Sequence, residues 1–164
     1  MITVSKAKIK DVDHIIPIWR KMIRFHQNML QEHNPSLMDY FVMKDDGEAI
    51  SIDFLKRQIR SKNGMILIAK DGNQIIGYTN LMIKDYIPLF NIDRIGEIIA
   101  LFVDEGYRGK HVSSLLFQKS KEWFHQKGIH HIMLNVFPDN QHAKEIYENW
   151  GFSCYLQDMR YVMR

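Results

Sequence analysis

From Ile95 to Val103 the chain reads Ile-Gly-Glu-Ile-Ile-Ala-Leu-Phe-Val, an apolar run broken by a single charge. The run is too short to span a bilayer and lacks the strict alternation of a half-solvated strand. It is expected to be a central strand covered on both faces. A polar turn follows at once, Asp104–Lys110. Then comes a helical pattern with Val112, Leu115, Leu116, Trp123 and Phe124 on its buried side, ended by Gly128. A buried strand that turns directly into an amphipathic helix calls for helices layered on a sheet, which is the α/β class.

The remaining segments supply the other layers. Residues 2–9 read as a short strand, through Ile2, Val4 and Ile9. After Asp11, residues Val12, Ile15, Ile16, Trp19, Met22, Ile23 and His26 recur at helical spacing, and Pro17 marks a start or a kink in the first turns. Residues 34–47 carry loop signals, and a second helix runs through Ile50, Phe54, Leu55 and Ile59 toward Asn63-Gly64. Met65–Ala69 and Gln74–Lys84 form two strands about the turn Asp71-Gly72-Asn73. Beyond Gly128, Ile132–Phe137 reads as a strand, Asn140–Trp150 as a helix, and Phe152–Met163 as one or two closing strands. The expectation is one domain over residues 1–164, a mixed sheet of about six to seven strands flanked by about four helices.

Composition narrows the function. A chain of 164 residues is long enough to bury roughly two-thirds of its unfolded surface. Its formal charge of +3 is spread among acids, as in Lys121-Glu122 and Lys10-Asp11, rather than gathered into the basic stripe of a nucleic-acid binder. No apolar leader opens the chain and no run approaches 18 apolar residues, so a cytoplasmic protein without a membrane partner is expected. The one cysteine, Cys154, forms no intrachain disulfide and reads as a buried structural thiol. His130-His131 has no further ligand spacing, and no metal site is expected.

The turn after the central strand is the most informative stretch: Val103-Asp-Glu-Gly-Tyr-Arg-Gly-Lys-His-Val-Ser-Ser. The first amides of a helix lack internal acceptors, and the macrodipole adds partial positive charge there, so such an end suits a phosphate. Arg108 and Lys110 add full charges; Gly109 and Ser113 keep the approach uncrowded. A solvated turn is the plainer alternative for an isolated Arg-Gly-Lys.

Two spaced motifs add a resemblance. Arg108-Gly-Lys-His111-Val-Ser113 resembles motif A of the GNAT superfamily of N-acetyltransferases, Gln/Arg-x-x-Gly-x-Gly/Ala after strand four. Asn140, Ala143, Tyr147, Gly151 and Phe152 match the family's second signature without a gap, and the order of elements agrees over essentially the whole chain. His111 stands where the family has glycine and Ser113 where it has glycine or alanine; the serine is still small, and the His111 amide can still donate if its dihedrals are ordinary helical ones.

The resemblance implies acetyl-CoA as co-substrate, with no metal, and a small-molecule or peptide amine as acceptor. It also allows a homodimer. Its cofactor site would comprise the backbone of Leu101, Phe102 and Val103, the turn Arg108, Gly109, Lys110 and His111, the helix start Val112, Ser113 and Ser114, and then Asn140 and Ala143. Residues 140, 143 and 147 lie within about 60° of one helix face. The matching tyrosine, Tyr147, would be the acid that protonates the leaving sulfur, with a packing tyrosine as the plainer alternative. Glu97, eleven residues before Arg108, matches the position of a strand-four base. An exposed sheet-edge glutamate is its alternative. A base is needed because a lysine-like amine, of pKa about 10.4, arrives as an ammonium. Candidate acceptor-lining residues are Phe25, His26, Met29, Tyr86 and Phe90, with Asp85, Asp93 and Glu32 as counter-charges. The competing expectation is an inactive acyl-CoA-binding module of the same fold, with His111 as a mark of decay.

Overall fold

The computed structural model describes residues 1–163, which fall into two compact units. The first comprises residues 1–22 and 45–134, the second residues 23–44 and the chain from 135 onward.

The first unit is built on a five-stranded sheet in the order β1-β2-β3-β4-β5. The strands are β1 (Ile2–Lys6), β2 (Gly64–Asp71), β3 (Gln74–Asp85), β4 (Arg94–Val103) and β5 (Ile132–Leu134). The first four pair antiparallel, and β5 pairs parallel to β4. The hairpin between β2 and β3 turns at Gly72, whose φ of 58° a side chain would oppose. Helix α1 (Val12–His33) supplies its first turns to this unit and continues through Pro17. Its residues Val12, Ile15, Ile16, Trp19 and Met22 are buried at the spacing of one helical face. Helix α2 (Gly47–Arg60) buries Leu55, and α3 (Val112–Gln126) buries Val112, Leu116, Phe117, Trp123 and Phe124. Between them the sheet contributes Ile66, Ile68, Ile76, Tyr78 and Leu81, all under 2% exposed, and this is the core.

The second unit holds the later turns of α1, a 3-10 turn at Pro35–Tyr40, and helix α4 (Gln141–Asn149). His26, Phe41 and Phe137 pack ring on ring, with centroids 5.0 to 6.0 Å apart. Gln27 Nε2 donates to the Phe41 carbonyl and Asn34 Nδ2 to Asp139, both at 3.1 Å.

Two expectations fail in the sheet. The closing strands expected within Phe152–Met163 do not form, so the sheet has five strands among the described residues rather than six or seven. A strand is held by a partner's ladder and one buried face. This segment has neither, and adjacent Tyr155 and Leu156 break the alternation that would give it a face. Both are about four-fifths exposed. Cys154, expected to be buried here, is exposed for the same reason. The strand expected over Ile132–Phe137 stops at Leu134, where its ladder with β4 ends at Ile98.

Candidate active site

The site residues read from the sequence divide between the two units. Glu97, Leu101, Phe102, Val103 and the stretch Arg108–Ser114 belong to the first, while Asn140, Ala143 and Tyr147 belong to the second.

In the first unit, β4 changes character midway. It pairs with β3 along its length, but the register slips between Asn80 and Leu81, because Ile99 is an extra residue on β4. This is a β-bulge, which bends and twists the strand locally. The parallel ladder to β5 covers only Gly96 to Ile98. From Ile99 to Val103 the β5-facing edge of β4 therefore has no strand partner in this unit. Such an edge offers backbone donors and acceptors to an extended ligand. Sequence reading missed the bulge; no residue type at Ile98-Ile99-Ala100 announces it.

Beyond Val103 a 3-10 turn, Glu105–Tyr107, leads to Arg108, which is extended with φ −64° and ψ 152°. Gly109 follows at φ 75°, with open space where a Cβ would sit, so glycine is needed there for its dihedral and not for room. His111 is the surprise. It precedes α3 at φ 59° and ψ 17°, the left-handed region, and among the described residues it alone has a positive φ without being glycine. The condition of ordinary helical dihedrals is thus not met at this residue. Histidine is one of the side chains enriched in this region, and the family's glycine at this position was the available signal.

The His111 carbonyl receives the first helical amide, from Leu115 at 3.1 Å. The amides of Val112, Ser113 and Ser114 are thus the open donors of the α3 N-terminus, and no side chain caps them. Arg108 and Lys110 are exposed beside this end. The Arg108 guanidinium stands 5.7 Å over the Phe102 ring and 3.8 Å from Glu105, and Lys110 Nζ stands 4.7 Å over Tyr107. An open helix start with two cations fits a diphosphate.

Glu97 is half-buried, its side chain 15% exposed. It is neither a lone carboxylate in an apolar strand nor a solvated edge residue: Lys84 Nζ lies 2.7 Å from its Oε2. At the same end of the β3–β4 hairpin, Tyr86 and Phe90 stack with centroids 6.2 Å apart, and Asp85 and Asp93 are exposed.

In the second unit the signature from Asn140 to Phe152 has a structural explanation. Asn140 Oδ1 accepts from the Ala143 amide at 3.3 Å and caps the start of α4. At the other end Gly151, at φ 93°, donates to Glu148, and Phe152 donates to Tyr147, the paired bonds of a Schellman motif. The Tyr147 and Phe152 rings, 6.0 Å apart, form its hydrophobic contact. Capping accounts for Asn140, Gly151 and Phe152, but it has no use for a phenolic oxygen. Tyr147 is half-buried, and burial raises the pKa of its phenol. His26 responds the other way: burial among rings lowers its pKa and keeps the imidazole neutral.

Among the described residues no helix is long and apolar enough to cross a membrane. Nor does any group of three or more His, Cys, Asp or Glu side chains there stand ready to hold a metal ion.

An uncharacterized N-acetyltransferase, YhfO of Bacillus subtilis, is 29% identical over 102 residues, which cover 60% of this chain and 65% of that protein. The chain thus matches just under two-thirds of this curated relative. Among solved structures, a tetramutant of the BH1408 protein from Bacillus halodurans superposes with a TM-score of 0.82 at 19% identity, covering 98% of this chain and 99% of that one. A predicted acetyltransferase from Clostridium acetobutylicum, solved with acetyl-CoA, gives 0.75 at 18% identity over 99% and 96% of the two chains. AAC(6')-Iy in complex with a CoA-linked bisubstrate analogue of acetylneamine gives 0.72 at 15% identity over 100% and 99%. At these identities the structures establish the shared fold. The profile of the acetyltransferase (GNAT) family matches residues 19–152, most of the sequence, and the chain belongs to that family.

Proposed function

We propose that the chain is an acetyl-CoA-dependent N-acetyltransferase, acting as a single catalytic domain over residues 1–164. It would transfer an acetyl group to a primary amine of a small molecule or peptide, by direct attack in a ternary complex. The observation that carries this reading is the pairing, in one unit, of an uncapped α3 N-terminus with a β4 edge that lacks a strand partner beyond Ile98. Similar structures solved with acetyl-CoA or with a CoA-linked aminoglycoside analogue support it.

In this reading the amides of Val112, Ser113 and Ser114, with Gly109, Lys110 and Arg108, hold the diphosphate of the co-substrate. The edge of β4 through Leu101, Phe102 and Val103 aligns its pantetheine arm. The co-substrate supplies an activated acetyl thioester. Glu97 takes the proton that the acceptor ammonium must lose, directly or through water, and a β4 amide donates to the carbonyl oxygen as charge builds there. Tyr147 donates its phenolic proton to the departing sulfur. Asn140 and Ala143 shape the helix that presents it.

The test uses acetyl-CoA, a panel of primary amines and release of free thiol. Tyr147→Phe should lower kcat by about 10- to 10⁴-fold while leaving CoA affinity unchanged. An unaltered rate removes Tyr147 from the chemistry. Retention of CoA by wild-type protein without turnover of any amine favours the inactive binding module instead.

A further inference from the structure

The ion pair between Lys84 and Glu97 has no assigned part in acetyl transfer. It runs diagonally across the β3–β4 hairpin, since Glu97 faces Met82 and Lys84 faces Ile95 in the register. The two partners are not equivalent. Glu97 sits in the ladder between buried Gly96 and buried Ile98, with its side chain 15% exposed, whereas that of Lys84 is 39% exposed. A four-carbon stem at that exposure can withdraw its ammonium into water; the carboxylate has no comparable freedom.

The same face holds a second acceptor. Asn80, Met82 and Lys84 alternate along β3, and Asn80 faces Ala100 beside the bulge. Asn80 is 2% exposed, and its buried Oδ1 has no hydrogen-bond partner among the described residues. An unpaired buried acceptor is costly and calls for a donor. The face thus presents a fixed carboxylate, an unused amide oxygen and one movable ammonium. A carboxylate with a neutral acceptor suits R–NH₃⁺, which carries three N–H donors. In the free protein the carboxylate is already taken.

We propose that Lys84 is an internal stand-in for the acceptor's ammonium. Its Nζ holds Glu97 until a cationic acceptor arrives, and the acceptor binds by displacing it, with Glu97 and Asn80 Oδ1 as its hydrogen-bond acceptors. The proposal rests on the reading of this chain as an amine acetyltransferase and names how its acceptor side chooses a substrate. Exchange of one ammonium for another is favourable only for a cation, so neutral and anionic compounds are rejected. Lys84 is then a specificity residue, and it weakens acceptor binding by competing for the same seat.

Calorimetry with propylammonium chloride as the cationic probe tests this on the full chain. Lys84→Met keeps the apolar stem and removes the charge, and Lys84→Gln serves as a second variant should the first fold poorly. Either should bind the probe about two- to fivefold more tightly than wild type, the range expected from relieving one partly exposed ion pair. Glu97→Gln, added to either, should abolish that gain. Wherever turnover is measurable, KM for a cationic amine should fall in the Lys84 variants while KM for acetyl-CoA stays put. Equal or weaker probe binding, with only a lower melting temperature, overturns the proposal and leaves the pair as a cross-strand stitch. The probe measurement needs no turnover: a protein that acetylates no amine refutes the enzymatic reading, while the binding comparison still decides the role of Lys84.

Discussion

His111→Gly separates backbone demand from side-chain chemistry at the start of α3. The backbone there requires φ near 59°, and Gly109 at φ 75° lies two residues before it. Holding an L-residue in the left-handed region costs roughly 1–2 kcal/mol, which glycine does not incur. Against this, glycine loses more conformational freedom on folding, by roughly 0.5–1 kcal/mol relative to alanine. The imidazole is exposed and makes no capping bond, so its removal forfeits little else. The balance is a gain of between about 0 and 1.5 kcal/mol, worked from those two ranges. For a chain of this size that is a rise in Tm of up to about 5 °C. His111→Val should move the other way, since a β-branched side chain tolerates positive φ worst. Thermal unfolding of the three proteins measures this, and calorimetry with CoA measures the ligand side, where the glycine variant should bind at least as tightly as wild type. A glycine variant destabilised by more than about 1 kcal/mol would refute the argument, because relief of backbone strain could not then outweigh the entropy that glycine loses at this position. Weakened CoA binding in that variant would instead assign the imidazole a direct contact with the ligand.

Two further outcomes follow from the packing and the titrating groups. A Cβ at Gly96 would lie 2.5 Å from Cε1 of Phe124, a fully buried ring on α3, so Gly96→Ala should cost about 1–3 kcal/mol by overpacking and melt correspondingly lower; co-melting with wild type would show that α3 can shift freely. Burial lowers the pKa of His26, whereas in the unfolded chain it titrates near about 6.5. The folded form therefore binds this proton less readily, and the contribution to stability is present above that pH and lost as pH falls. Urea unfolding at pH 8 and pH 5 should show that loss in wild type and a smaller one in His26→Phe; equal losses would mean that the imidazole titrates freely in the fold.

The amino-acid sequence determined those features whose bonds close within a few residues. The apolar run at Ile95–Val103 and the helical pattern after Lys110 specified a strand, a tight turn and a helix start, because burial period and open amides are local properties. The same holds for Asn140 as a helix cap and for Gly151-Phe152 as a helix stop, both made by hydrogen bonds that span three to five residues. The family resemblance rested on those local devices, which is why it was legible. Register was not. The bulge at Ile99, the end of the β5 ladder at Leu134 and the meeting of Lys84 with Glu97 depend on how segments far apart in the chain align, and a slip of one residue would abolish each of them. The tail from Phe152 has β-prone composition, yet a strand exists only if a neighbour offers it a ladder. For His111 the residue type permitted a left-handed backbone, but only the path from β4 into α3 required one.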